Sequence, residues 1–188
     1  MKTLKSSKLS FFAILTFSLI LVLGSCSAGK SGVNSGKKLF TDFFVGDAGT
    51  QYFIKPLTFE NSTISNEDLL ADITFRYKEK IRDSAIVNVS IVGLAPTKNI
   101  NSVTIMSAEL HVHSEGITFL FNERSKSGFI SRFSFKIPVA SLKELVDSGY
   151  EWKFEVMETD SKIGQYVSKR STTKSLEKLD QSLFILLD

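Results

Sequence analysis

The stretch Phe129-Ile-Ser-Arg-Phe-Ser-Phe-Lys-Ile137 alternates apolar and polar side chains. Phe129, Phe133, Phe135 and Ile137 fall on one side, and Arg132, Ser134 and Lys136 on the other. A period of two belongs to an extended strand, whose successive side chains point to opposite faces. A helix would need apolar residues every three or four positions. One face of this strand is therefore buried and the other wet, the usual state of an antiparallel sheet.

The same period recurs on both sides of it. In Asp72-Ile-Thr-Phe-Arg-Tyr77, Ile73, Phe75 and Tyr77 align. Ala85, Val87, Val89 and Ile91 share a face, as do Ile117, Phe119 and Phe121 in ITFLF, and Trp152, Phe154 and Val156 in EWKFEV. LFTDFFV, QYFIKPLTF, SVTIM, AELHVH, GQYVS and the C-terminal LFILL read as further strands, with Pro56 expected at an edge or bulge because it cannot donate to a ladder. Turn signals separate these runs at Gly46-Asp-Ala-Gly49, Glu60-Asn-Ser-Thr63, Ala95-Pro-Thr97 and Ser125-Lys-Ser-Gly128. Two segments carry helical spacing instead. PVASLKELVDSG has Pro138 near its start, Leu142, Leu145 and Val146 on one face, Gly149 as a stop, and Ser141-x-x-Glu144 in the pattern of a capping box. STTKSLEKLDQS places Leu176, Leu179 and Leu183 three and four apart. The expectation is a mainly β fold, an antiparallel β-sandwich of about eight to ten strands with one or two short helices, filling 39–188 as a single domain.

The N-terminus has a different composition. Lys2, Lys5 and Lys8 precede an apolar run over 11–23 broken only by Thr16 and Ser18, and the small residues Gly24 and Ser25 follow. A basic region, an apolar region and a small-residue cut make a secretory signal peptide over 1–25. The thirteen positions of this run cover about 20 Å as a helix, short of the ~30 Å hydrocarbon core.

Leu23-Gly24-Ser25-Cys26 resembles the lipobox of bacterial lipoproteins: aliphatic, small, small, cysteine. The resemblance covers 1–26 and implies cleavage between Ser25 and Cys26, a diacylglyceryl thioether on Cys26 and acylation of the new amino group. Several acyl chains on one residue anchor a protein where a single chain holds it only marginally. Cys26 is also the only cysteine in the chain; lipidation would use the unpaired thiol that an exported protein otherwise leaves exposed. Ser27 is not the aspartate that retains such proteins in the inner membrane, so the resemblance implies an outer-membrane location. Residues 26–38, rich in Gly, Ser and Lys, form the expected lipidated flexible tether, about 20 Å r.m.s. long.

Gly24 to Ser31 also fits the phosphate-loop pattern G-x-x-x-x-G-K-[ST]. Cleavage before Cys26 would divide it, the preceding run is longer than a typical strand, and no apolar period follows to make a helix. Nucleotide is therefore not an expected ligand. Nucleic acid is not expected either. The chain carries 23 Lys and Arg against 20 Asp and Glu, but three of those lysines and none of the acids lie in 1–25. The remainder is neutral overall, without the basic excess that phosphate backbones require.

The residues best placed for chemistry are Glu109-Leu-His-Val-His-Ser-Glu115, which hold the only two histidines. On a strand, Glu109, His111, His113 and Glu115 share the face opposite Leu110 and Val112. Two histidines two apart can reach one zinc ion, given a third ligand from elsewhere; the same pattern describes an ordinary wet face. No cofactor motif, G-x-S-x-G elbow or cysteine nucleophile accompanies them. Thirteen of the sixteen phenylalanines lie beyond residue 25, mostly on inner faces. Phe43-Phe44 and Tyr52-Phe53 break alternation, so one ring of each pair is expected outside. The segment 162–180 has an excess of Lys and Arg that forms a solvated polar face or a local basic patch. Two functions follow. The first is a non-catalytic, lipid-anchored envelope protein that binds a partner protein or glycan, held to the membrane through Cys26. The second is a lipid-anchored hydrolase or metal-dependent enzyme using the His111/His113 face.

Overall fold

The computed structural model describes residues 38–78, 84–126, 128–159 and 163–187. The expected signal peptide, Cys26, the tether up to residue 37 and Lys162 lie outside the described residues.

Among the described residues the fold is mainly β, with ten strands and two α-helices. In chain order the strands are β1 (Phe40–Phe44), β2 (Thr50–Asn61), β3 (Asp68–Tyr77), β4 (Ser84–Gly93), β5 (Ile100–Ser107), β6 (Leu110–Ser114), β7 (Thr118–Ser125), β8 (Gly128–Pro138), β9 (Trp152–Glu158) and β10 (Ile163–Ser168). Helix α1 (Val139–Asp147) joins β8 to β9, and α2 (Arg170–Ser182) follows β10. Every pairing is antiparallel. All ten strands belong to one sheet in the order β6-β5-β9-β10-β2-β3-β4-β8-β7, with β1 on the side of β2.

That order determines how far the sheet bends. β6 and β7 are its two edges, yet only 115–117 separate them in the chain. Four Cα steps reach at most about 14 Å. Eight strand spacings laid flat would put the edges roughly 38 Å apart. The sheet must therefore fold back on itself, and Ser114 Oγ on β6 reaches the Lys136 carbonyl on β8 at 3.5 Å. It does not close; the result is sandwich-like, with the apolar faces of the strands turned to one core, in which Phe59 on β2 and Phe154 on β9, two strands apart, meet edge-on at 4.7 Å.

The alternating residues supply that core. Ile73, Phe75, Ala85, Val87, Val89, Ile91, Phe133, Phe135, Ile137, Trp152, Phe154 and Val156 are all buried, each large one contributing about 1.5–3 kcal/mol on burial. The helices occupy the same inner side. α1 buries Leu142, Leu145 and Val146, and Trp152 Nε1 donates to the carbonyls of Leu145 and Gly149 at 3.2 and 3.0 Å. α2 buries Thr172, Leu176 and Leu179, and Thr172 Oγ1 donates to the Thr58 carbonyl on β2. Pro56 sits at a break in the β2–β3 register between Ile54 and Leu57, where its missing N–H costs no ladder bond.

Three expectations need correction. The C-terminal LFILL is not a strand; Phe184–Leu187 is a 3₁₀ turn. Phe184 and Leu187 are buried while Ile185 and Leu186 are exposed, the three-residue spacing of that helix type. The run follows α2 after the single residue Leu183, whose N–H still donates to the Leu179 carbonyl at 2.7 Å, and winds on as a tighter turn. The capping box does not form either. Proline fixes φ (−58° at Pro138) and starts α1 at Val139, without a side-chain cap; Ser141 and Glu144 fall inside the helix. Finally, Ile117, Phe119 and Phe121 do not share a buried face. The register shifts between Phe119 and Phe121 on β7. Phe119 lies opposite buried Phe133, whereas Phe121 lies opposite Arg132 on the outer face. The extra residue, Leu120, reverses the alternation.

Candidate functional site

The outer face of β6-β5-β9-β10 carries the histidines. Register aligns His111 with Met106 and Met106 with Lys153 in one row across the strands. The next row runs from His113 through Thr104 and Glu155 to Gln165. Both histidines are exposed, while Val112 between them is buried, as alternation required. Glu109 does not join this face as a strand residue, because β6 begins at Leu110 and Glu109 occupies the β5–β6 turn. Glu115 lies just past the strand and places Oε1 at 3.5 Å from His113 Nε2. His113 Nδ1 contacts Thr104 Oγ1 at 3.0 Å. Gln165 Nε2 donates to Glu155 Oε1 at 3.0 Å.

Two shallow clefts adjoin on this face. One, of about 450 Å³, is bordered by Met106, Ala108, His111, Tyr150, Glu151 and Lys153. The other, of about 350 Å³, shares Met106 and Lys153 and extends to Ser62, Glu155 and Gln165. The Tyr150 hydroxyl donates to Asp180 Oδ2 on α2 at 2.7 Å. That bond, reinforced by burial and by nearby carboxylates, raises the pKa of Tyr150 above its usual 10.0. The linings mix cation, anion, imidazole, thioether and phenol. Such a surface suits hydrogen bonding to a polar ligand rather than a single strong charge.

The metal reading finds little to build on. Among the described residues no group of three or more His, Cys, Asp or Glu is placed to hold an ion. The neighbours that register brings to the histidines are Met106 and Thr104, neither of which completes a zinc set.

Sequence reasoning missed one other feature and read a second only in part. On the outer face of β3-β4-β8, Arg132 donates to Asp72 Oδ2 at 2.6 Å and to Ser90 Oγ at 2.7 Å, and Asn88 Nδ2 donates to Asp72 Oδ1 at 2.9 Å. The second feature lies around the β1–β2 connection. Phe43 and Phe44 are both exposed, not one of the two as expected. Phe43 meets Phe53 edge-on at 5.8 Å on the outer face, while Tyr52 stacks inward on Phe75 at 5.3 Å. In the basic segment, Lys169 is paired with Asp68 at 2.8 Å; Arg170, Lys174 and Lys178 on α2 are exposed.

No helix among the described residues is long and apolar enough to cross a membrane. No protein-family model, curated protein or solved structure matches this chain.

Proposed function

We propose that this chain is a lipid-anchored bacterial envelope protein whose β domain has a non-catalytic binding or assembly role. The observation that carries the reading is Leu23-Gly24-Ser25-Cys26 directly after an apolar run with a basic start. The only cysteine of the chain stands at the position a lipobox requires. Ser27 favours the outer membrane by the same resemblance. The domain's polar outer face, with its adjoining clefts along Met106 and Lys153, suits an envelope protein or glycan as partner.

The test is metabolic labelling with radioactive palmitate in a bacterial host, with membrane fractionation. The full chain is expected to take up label and to reach the outer membrane. Cys26→Ser is expected to remain at precursor mass, without label. Normal labelling and anchoring of Cys26→Ser would overturn the reading.

A further inference from the structure

Two groups of strongly exposed apolar residues lie at one end of the sheet. Phe44 is 80% exposed and Phe43 61%, with Val45 beside them, at the β1–β2 connection. Ile185 and Leu186 of the C-terminal 3₁₀ turn are each 60% exposed. The two groups flank the same residue, Tyr77. Thr50, which follows the β1–β2 turn, pairs with Tyr77, and the Tyr77 hydroxyl donates to the Leu187 carbonyl at 3.0 Å.

The β1–β2 connection is held in place. A 3₁₀ turn at Gly46–Ala48 shapes it, and Val45 N–H donates to the Gly49 carbonyl at 2.8 Å. Gly49 has φ +84°, and a Cβ there would lie 2.3 Å from the Tyr77 carbonyl oxygen. Lys78 Nζ donates to the Asp47 carbonyl at 2.6 Å. The aromatic pair is thus presented by fixed backbone. Leaving such rings in water forgoes burial that a core position would provide.

We propose that this end of the domain, Phe43-Phe44-Val45 with Ile185 and Leu186, seats in the interfacial layer of a phospholipid bilayer, as a contact separate from any covalent lipid. The proposal rests on the lipid-anchored reading for its placement near a membrane. The chain outside the described residues joins at Lys38, next to β1. From Phe40 to Phe44, β1 spans about 13 Å, and the twelve residues 27–38 have a contour length of about 40 Å. That reach exceeds the length of β1, so the chain between Cys26 and β1 does not keep the β1–β2 turn from the surface on which Cys26 is held. Aromatic and aliphatic side chains are suited to the headgroup–acyl boundary. Exposed Lys178 on the last turns of α2 and exposed Lys78 beside the β1–β2 turn add cationic groups towards this end, which suit an anionic lipid surface; Arg170, next to the Lys169–Asp68 pair, lies towards the other end of β3.

The test uses the full chain with Phe44→Trp, reconstituted in vesicles of phosphatidylethanolamine and phosphatidylglycerol with plain or brominated acyl chains. The native Trp152 is buried and provides a constant background, measured in the parent chain. The expected result is a blue shift on vesicle addition and loss of emission with brominated lipid, both absent from the parent. Phe43→Ser together with Ile185→Ser in the Phe44→Trp background is expected to reduce that loss. Mass spectrometry of the same sample reports acylation of Cys26. Acylated protein with no bromine-dependent loss overturns the contact and leaves the anchor reading standing. Bromine-dependent loss without acylation retains the contact and overturns the anchor. A blue shift that grows with protein concentration and ignores bromine means that a second copy covers this end, and overturns the proposal.

Discussion

Tyr166 on β10 donates its phenolic hydrogen to Glu67 Oε1 at 2.6 Å, a contact between residues 99 apart in the chain. Asn61 Nδ2 donates to the same oxygen at 2.7 Å, and Asn61 Oδ1 accepts from the backbone N–H groups of Thr63 and Ile64. The phenol thus ties β10 to the β2–β3 turn. Burial, and then the bond to Glu67, raise its pKa well above 10.0. Below pH 10 the phenol is neutral in folded and unfolded chains alike, so stability there does not depend on it. Above pH 10 the unfolded chain loses the proton and the folded chain keeps it. Stability then falls by up to about 1.4 kcal/mol per pH unit. Urea midpoints across this range are expected to show that slope. Tyr166→Phe is expected to flatten most of it and to cost about 1–2 kcal/mol at neutral pH.

The Arg132 network on the outer face is three-quarters shielded at the arginine side chain, which is 26% exposed. Arg132→Ala leaves Asp72 with Asn88 alone and Ser90 without its donor. The expected loss is about 1.5–3 kcal/mol, the range for a hydrogen-bonded charged group with partial access to water. Denaturant unfolding measures it. Arg132→Lys is expected to recover less than half, because a point charge cannot serve Asp72 and Ser90 in the geometry of a planar fork.

Ala108 stands at φ +48° in the two-residue β5–β6 turn. An L side chain is disfavoured there by about 1–2 kcal/mol, and glycine is not. Ala108→Gly loses some of that gain to the greater freedom of the unfolded chain. The net expectation is a stabilisation of about 0.5–1 kcal/mol, read as a higher melting temperature. A decrease would show that Ala108 makes packing contacts outweighing its backbone strain.

β7 is exposed from Thr118 to Arg124 and forms one edge of the sheet, with Phe119, Leu120 and Phe121 in succession. A long apolar edge offers unpaired backbone groups to other chains. Leu120 is the bulged residue and lies outside the core. Leu120→Lys is expected to leave the melting temperature unchanged to within about 0.5 kcal/mol of stability, while reducing aggregation near the transition. Light scattering during a thermal ramp distinguishes the two effects.

The legible parts of the fold are those where the two faces of an element differ. β3, β4, β8 and β9 each set aliphatic or aromatic rings against polar side chains, so one register satisfies burial and the other does not. Pro56 was readable for a separate reason, its missing donor. β7 was misread because an edge strand has little burial to enforce its alternation, and nothing local marks Leu120 as an extra residue. LFILL was misread because a short apolar run fits a strand or a helical turn equally. In the candidate site, the wet face of His111 and His113 follows from Val112 alone. Its neighbours do not: Lys153 and Tyr150 come from β9 and the α1–β9 connection, and only sheet order brings them beside β6. The same holds for Asp72 and Arg132, 60 residues apart. Each reads as a solvated charge until β4 aligns their strands.

β1 pairs only with the first part of β2, antiparallel, and its N-terminal end is the end away from the connecting turn. Tension drawn through the N-terminus across β1 would load the β1–β2 hydrogen bonds one at a time, as a zip, whereas tension along the strand would load them together. β2 is held on its other side by β3, so the core does not bear that load. A pull across β1 would be absorbed by peeling a five-residue strand and lengthening the leash, and the strand could re-zip once the force drops.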